Sequence, residues 1–84
     1  MARYFFNIYN GIQTRDAIGT ECETVDDVRA EAVETAQQLV AGKLLANGDT
    51  FSMTVNVADT LGKTVMIVSV GASVETVQGS SLAA

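Results

Sequence analysis

The stretch TVDDVRAEAVETAQQLVAGKLLA, residues Thr24–Ala46, decides the fold, because its apolar residues recur with the period of one long amphipathic helix. Val25, Val28, Ala32, Ala36, Leu39 and Val40 fall on one side, with Val33 and Leu44 flanking them. Asp27, Glu31, Glu34, Gln38 and Leu45 point elsewhere, so the outer face is mostly polar. Thr24 is a good N-cap, since its hydroxyl can accept a backbone N–H that the first turn leaves unpaired. Asp27 completes a short-armed capping box, and Asp26 adds a second carboxylate at the positive end of the helix dipole. Asn47-Gly48 supplies the expected stop, as either residue can take the left-handed conformation that closes a helix. Gly42, costing about 1 kcal/mol relative to Ala in a helix interior, and Lys43, near the middle of the apolar stripe, disturb the pattern. The last turn is therefore expected to leave the sheet, with Lys43 snorkelling to water.

On the N-terminal side, Arg3–Tyr9 alternates with period two. Tyr4, Phe6 and Ile8 share the face that meets the helix; Arg3, Phe5, Asn7 and Tyr9 share the other. Asn10-Gly11 is a strong hairpin signal, so a second strand over about Ile12–Arg15 should fold back on the first. Asp16-Ala17-Ile18-Gly19 reads as a turn, and Glu21–Glu23 as a short extended lead into the helix. On the C-terminal side, Phe51–Val57 alternates cleanly, Phe51, Met53, Val55 and Val57 facing in. Asp59–Gly62 is a tight turn, and Thr64–Val70 is the hairpin partner.

That last strand differs in kind. Val65-Met66-Ile67-Val68 is apolar on both faces. Either it is a central strand with its outer face covered, or that outer face is an interface. The expected architecture is α+β in two layers, an antiparallel sheet with one long helix packed on one face, in the order β-β-α-β-β. Residues 1–77 should form this single domain, and Gln78–Ala84 a flexible C-terminal tail. A helix of about 22 residues spans ~33 Å against ~23 Å for a seven-residue strand, so the helix should overhang the sheet.

The 84-residue chain carries ten acidic and five basic residues, a formal charge of −5. Seven of the ten acids lie between Asp16 and Glu34, a surface that repels phosphate and argues against nucleic-acid binding. The same acidity keeps a protein soluble and would attract a basic protein partner, with Asp27, Glu31 and Glu34 the candidate face. Cys22 is the only cysteine, which excludes an internal disulfide and a thiolate metal cage within one chain. A lone thiol, no secretory pattern at Met1-Ala2-Arg3 and no ~20-residue apolar run together point to a cytoplasmic, non-membrane protein.

Catalytic machinery is missing from the pattern. There is no histidine, the commonest general base and metal ligand. No P-loop, dinucleotide fingerprint, nucleophile elbow or calcium loop occurs. Cys22 has no imidazole to activate it and reads as a small filler. Asp16, Glu21 and Glu23 could gather around a hard cation, but turn and cap chemistry explains them equally well. Tyr4-Phe5-Phe6 could stack bases; without a basic field, packing explains it better.

Arg3-Tyr4-Phe5-Phe6, the turn after Asn10, Asp16-x-x-Gly19-x-Glu21, the alanine-bearing helix, Val57-x-Asp59-x-x-Gly62 and the closing apolar strand together resemble a family of small uncharacterised proteins from rhizobia and other alphaproteobacteria. Its members typically begin Met-x-Arg-Tyr-Phe-Phe, and the resemblance covers about residues 2–70. It implies a bacterial cytosolic source and carries over no catalytic residue. A second likeness, by analogy, is to antitoxin domains of the HicB type, acidic modules that bind a basic toxin.

The expectation that follows is a non-enzymatic, self-associating interaction module without cofactor or metal, a homodimer favoured. Its contact residues would be Phe5, Tyr9, Val65 and Ile67. The alternatives are an antitoxin-like inhibitor of a basic partner and, behind it, a metal-dependent enzyme using Asp16, Glu21 and Glu23.

Overall fold

A computed structural model describes residues 1–77 of the chain. Its elements are β1 (Ala2–Tyr9), β2 (Gln13–Thr14), β3 (Thr20–Cys22), α1 (Val25–Ala41), β4 (Thr50–Ala58) and β5 (Thr64–Ser73). The fold is α+β, one helix packed on one face of a five-stranded antiparallel sheet. The order is β-β-β-α-β-β, because the extended segment before the helix pairs with β1 and becomes a strand of its own. The tail expected over Gln78–Ala84 lies outside the described residues.

β1 is flanked by β4 along one edge and by two short strands along the other. β3 pairs with its start (Ala2 with Cys22, Tyr4 with Thr20) and β2 with its end (Ile8 with Thr14, Tyr9 with Gln13). β2 is shorter than the expected Ile12–Arg15: the hairpin loop takes Asn10, Gly11 and Ile12, and only two exposed residues remain in the ladder. Polar, solvated side chains give such a strand nothing to bury. β4 joins β1 to β5, with Ile8 opposite Val55 and Val55 opposite Val68. One bulge interrupts the β4–β5 ladder: Val57 faces Met66 and Ala58 faces Thr64, leaving Val65 as the extra residue.

The cap of α1 forms as its sequence dictates. The Thr24 hydroxyl accepts the Asp27 N–H at 3.1 Å, and Asp27 accepts the Thr24 N–H at 3.2 Å. The far end differs from expectation. The helix stops at Ala41 with Gly42 as its C-cap, so Lys43–Ala46 leave the helix and Asn47-Gly48 is not its stop. Gly42 lowers the helical preference there, and the stretch that follows, through Asp49, finds other bonds. Asp49 accepts the Ala46 N–H at 2.8 Å, Val74 donates to the Asp49 carbonyl at 3.1 Å, and Thr76 bonds Asn47 at 2.9 Å. Lys43 does not run to water alone; its Nζ lies 5.0 Å from the centroid of the Phe51 ring. At 17 residues the helix is about 26 Å long, close to the ~30 Å of nine-residue β4, and the expected overhang disappears.

Phe6, Cys22, Val28, Ala32, Ala36, Met53, Val55 and Val57 form the core. The inward residues of β1 and β4 are those the alternation assigns. The helix contributes a narrower stripe than the six residues expected, since Val28, Ala32 and Ala36 are buried while Val25 is 64% exposed. Alanine at the contact line lets the helix lie close to the sheet. A helix crossing a twisted sheet from β3 toward β5 meets it along one row, leaving its first turn to solvent.

Candidate interaction surfaces

The gap between β2 and β3 on the free edge of β1 is closed by a side chain. Alternation along the ladder turns the Phe6 main chain to this edge, and Asp16 Oδ2 accepts its N–H at 3.1 Å. The other carboxylate oxygen accepts Ile18 at 3.1 Å and Gly19 at 3.0 Å, while Asn7 Oδ1 accepts the Asp16 N–H at 2.9 Å. Burial pushes the Asp16 carboxyl up. The N–H groups of Gly19, Phe6 and Ile18, with the Arg3 guanidinium, outweigh that and hold it below its ordinary 3.8. Arg3 donates to the Ile18 carbonyl at 2.7 Å and pairs with Glu21 at 3.1 Å. Asp16 is thus occupied by backbone and Glu21 by Arg3. Among the described residues no group of three or more His, Cys, Asp or Glu side chains is placed to hold a metal ion.

The outward face of the sheet carries all four expected contact residues. Phe5 lies opposite Ala58, and its half-buried ring packs beside Gly19. Tyr9, opposite Thr54, is 58% exposed; Val65 and Ile67 on β5 are 45% and 60% exposed. The structure places them on one face but not in one patch. β4 runs between the two pairs, and its Thr54 and Asn56 make the intervening strip polar. β5 is also not central. It is an edge strand, with β4 on one side and no strand on the other among the described residues. That excludes a covered central position for the two-faced apolar stretch.

Asp27, Glu31 and Glu34 are brought together by one helix face, Glu21 comes from β3, and Glu23 from the turn between β3 and the helix. The five carboxylates line a groove of about 280 Å³. Cys22 also borders it, with its thiol buried in the core. Burial pushes that thiol up, and Glu31, Asp27 and Glu21 push it further. A second hollow, of about 410 Å³, lies where β1 ends, between Tyr9-Asn10-Gly11 and Thr50–Thr54.

The sequence expectation of a turn at Asp16–Gly19 does not include the clamp on Phe6, although the Asp16-x-x-Gly19 spacing carries a signal for the turn-closing half of it. An Asp side chain that bonds N–H groups two and three residues on closes its own turn. The contact of Lys43 with Phe51 had no local signal.

A family model described as a domain of unknown function (DUF6894) matches residues 3–71. No curated protein and no solved structure shows significant similarity to the chain. The match spans most of the sequence, and the chain belongs to that family.

Proposed function

We propose that this DUF6894 protein is a non-enzymatic module that acts by self-association, with a homodimer as its working state. The observation that carries the reading is β5: an edge strand apolar on both faces, whose Val65 and Ile67 face outward at 45% and 60% exposure. Exposed apolar strands at a sheet edge are ordinarily blunted by charge, proline or cover. Phe5 and Tyr9 extend the outward face on β1, and the absence of histidine in the sequence is consistent with a non-catalytic role. The bacterial cytoplasmic setting implied by the resemblance belongs to the same reading. Light scattering across a dilution series tests it. The expected mass is twice that of the chain down to low micromolar concentration, and a monomer mass throughout overturns the proposal.

A second reading rests on a separate observation, the gathering of Glu21, Glu23, Asp27, Glu31 and Glu34 around one groove. Such a surface would take a basic protein partner, as an antitoxin-like inhibitor does. Co-purification of a basic protein that is released by salt supports it; a tight partner insensitive to salt counts against it.

A further inference from the structure

We propose that the partner surface is the free edge of β5 itself, which pairs antiparallel with the β5 edge of a second copy and joins two sheets into one. The inference rests on the self-association reading above and narrows it to one set of backbone groups. Val74 donates to the Asp49 carbonyl, so its main chain points back toward β4. Alternation along an antiparallel pair then turns Ala72, Val70, Val68 and Met66 to β4, and leaves Ser73, Gly71, Ser69 and Ile67 presenting N–H and C=O groups off the edge. A two-fold axis makes such a row complementary to itself, because an antiparallel pair of identical strands exchanges the same bonds in both directions.

Charge selects this edge over the rest of the surface. Two copies of an acidic chain repel wherever carboxylates meet, and five of them lie around the groove on the β3 side. β5, ten residues long, holds no charged residue and no proline. It is bracketed by opposite charges, Lys63 before it and Glu75 after it, and neither has an ion-pair partner among the described residues.

Centring the two-fold axis on Ser69 pairs Ser69 with its own copy and Ile67 with the partner's Gly71, and brings Lys63 to the partner's Glu75. The 60% exposed Ile67 then lies across from a residue with no side chain, where a Cβ would meet nothing closer than 3.7 Å. On the helix side, the half-buried Met66, Val68 and Val70 of both copies extend one core. Phe5 and Tyr9, beyond β4, stay outside the interface.

Sedimentation equilibrium of the full chain and three sets of variants tests the pairing. Ser69→Pro removes an N–H that points off the edge and leaves the β4–β5 ladder intact, a position where proline is tolerated. It should be monomeric with the circular dichroism of the parent. Lys63→Glu should weaken the dimer about tenfold, two like-charged contacts replacing two ion pairs, and adding Glu75→Lys should restore it. Tyr9→Ser should leave the dimer unchanged. A folded Ser69→Pro that dimerises like the parent, or a Tyr9→Ser that does not dimerise, overturns edge pairing while self-association stands. A parent chain that is monomeric overturns both. If Ser69→Pro fails to fold, the charge swap decides: no loss with Lys63→Glu, or no recovery with the double variant, rejects this register and the pairing proposed on it.

Discussion

The carboxylate of Asp16 accepts the amide of Phe6 at 3.1 Å across ten positions of sequence, standing in for the strand that the edge of β1 lacks between β3 and β2. One side chain thereby holds the N-terminal hairpin, the Ile18-Gly19 turn and β3 in a single register.

Replacing Asp16 by Ala should lower stability by about 2–4 kcal/mol, as three N–H groups lose a charged acceptor. Because the folded carboxyl titrates below its ordinary 3.8, its contribution is fully present above that value. It is lost as pH falls through the lower, folded value. Urea unfolding of parent and variant at neutral and acid pH should show the difference between them shrinking below pH 3.8. A constant difference across the series would reject the clamp.

Gly19 sits at φ +79° with a Cβ placed 2.8 Å from Arg3 Cγ and 3.0 Å from both Phe5 Cε1 and the Tyr4 carbonyl oxygen. Gly11, at φ +96°, has nothing within 4 Å. Both Ala substitutions bear the left-handed backbone penalty, about 1–2 kcal/mol, but only Gly19→Ala forces a backbone oxygen to move. The urea midpoint should fall further for Gly19→Ala than for Gly11→Ala. Equal losses would show that backbone conformation alone matters at position 19.

Ala32 is fully buried where the helix lies on the sheet. Ala32→Leu should cost about 1–3 kcal/mol by overpacking, whereas Ala30→Leu, on the exposed side, should change stability by no more than about 0.5 kcal/mol. Thermal melts of the two variants check the close approach of helix and sheet.

Cys22 is 6% exposed and its thiol is pushed above the ordinary 9.0, by burial first and then by Glu31, Asp27 and Glu21. Reaction with a thiol-specific disulfide reagent at pH 8 should be slow in buffer and fast in urea, since the thiolate is the nucleophile. Rapid labelling of the native chain would mean that the core around β3 opens readily.

What could be read in advance were the features written in short windows. The Thr24–Asp27 capping box, the Val28-Ala32-Ala36 centre of the wider expected helix stripe, the alternation of Phe51–Val57 and the Asp59–Gly62 turn each depend on neighbours a few residues apart. Asp59 indeed accepts Leu61 and Lys63, both at 2.9 Å, to close that turn. The helical pattern runs past the actual end of the helix at Ala41, because Leu44, Leu45 and Ala46 are good helix formers. The residues that follow them, Asn47, Gly48 and Asp49, are held instead by bonds to Val74 and Thr76, just past the far end of β5.

Two layers, a helix on an antiparallel sheet, and the inward set of side chains follow from periodicity and capping, which act within one element. The edge position of β5, the capture of Phe6 by Asp16 and the polar strip between Tyr9 and Ile67 follow from contacts between separate segments. An apolar strand has the same local pattern whether it lies at the centre of a sheet or at its rim. Only the order in which strands come together assigns one of its edges to β4 and leaves the other unpaired.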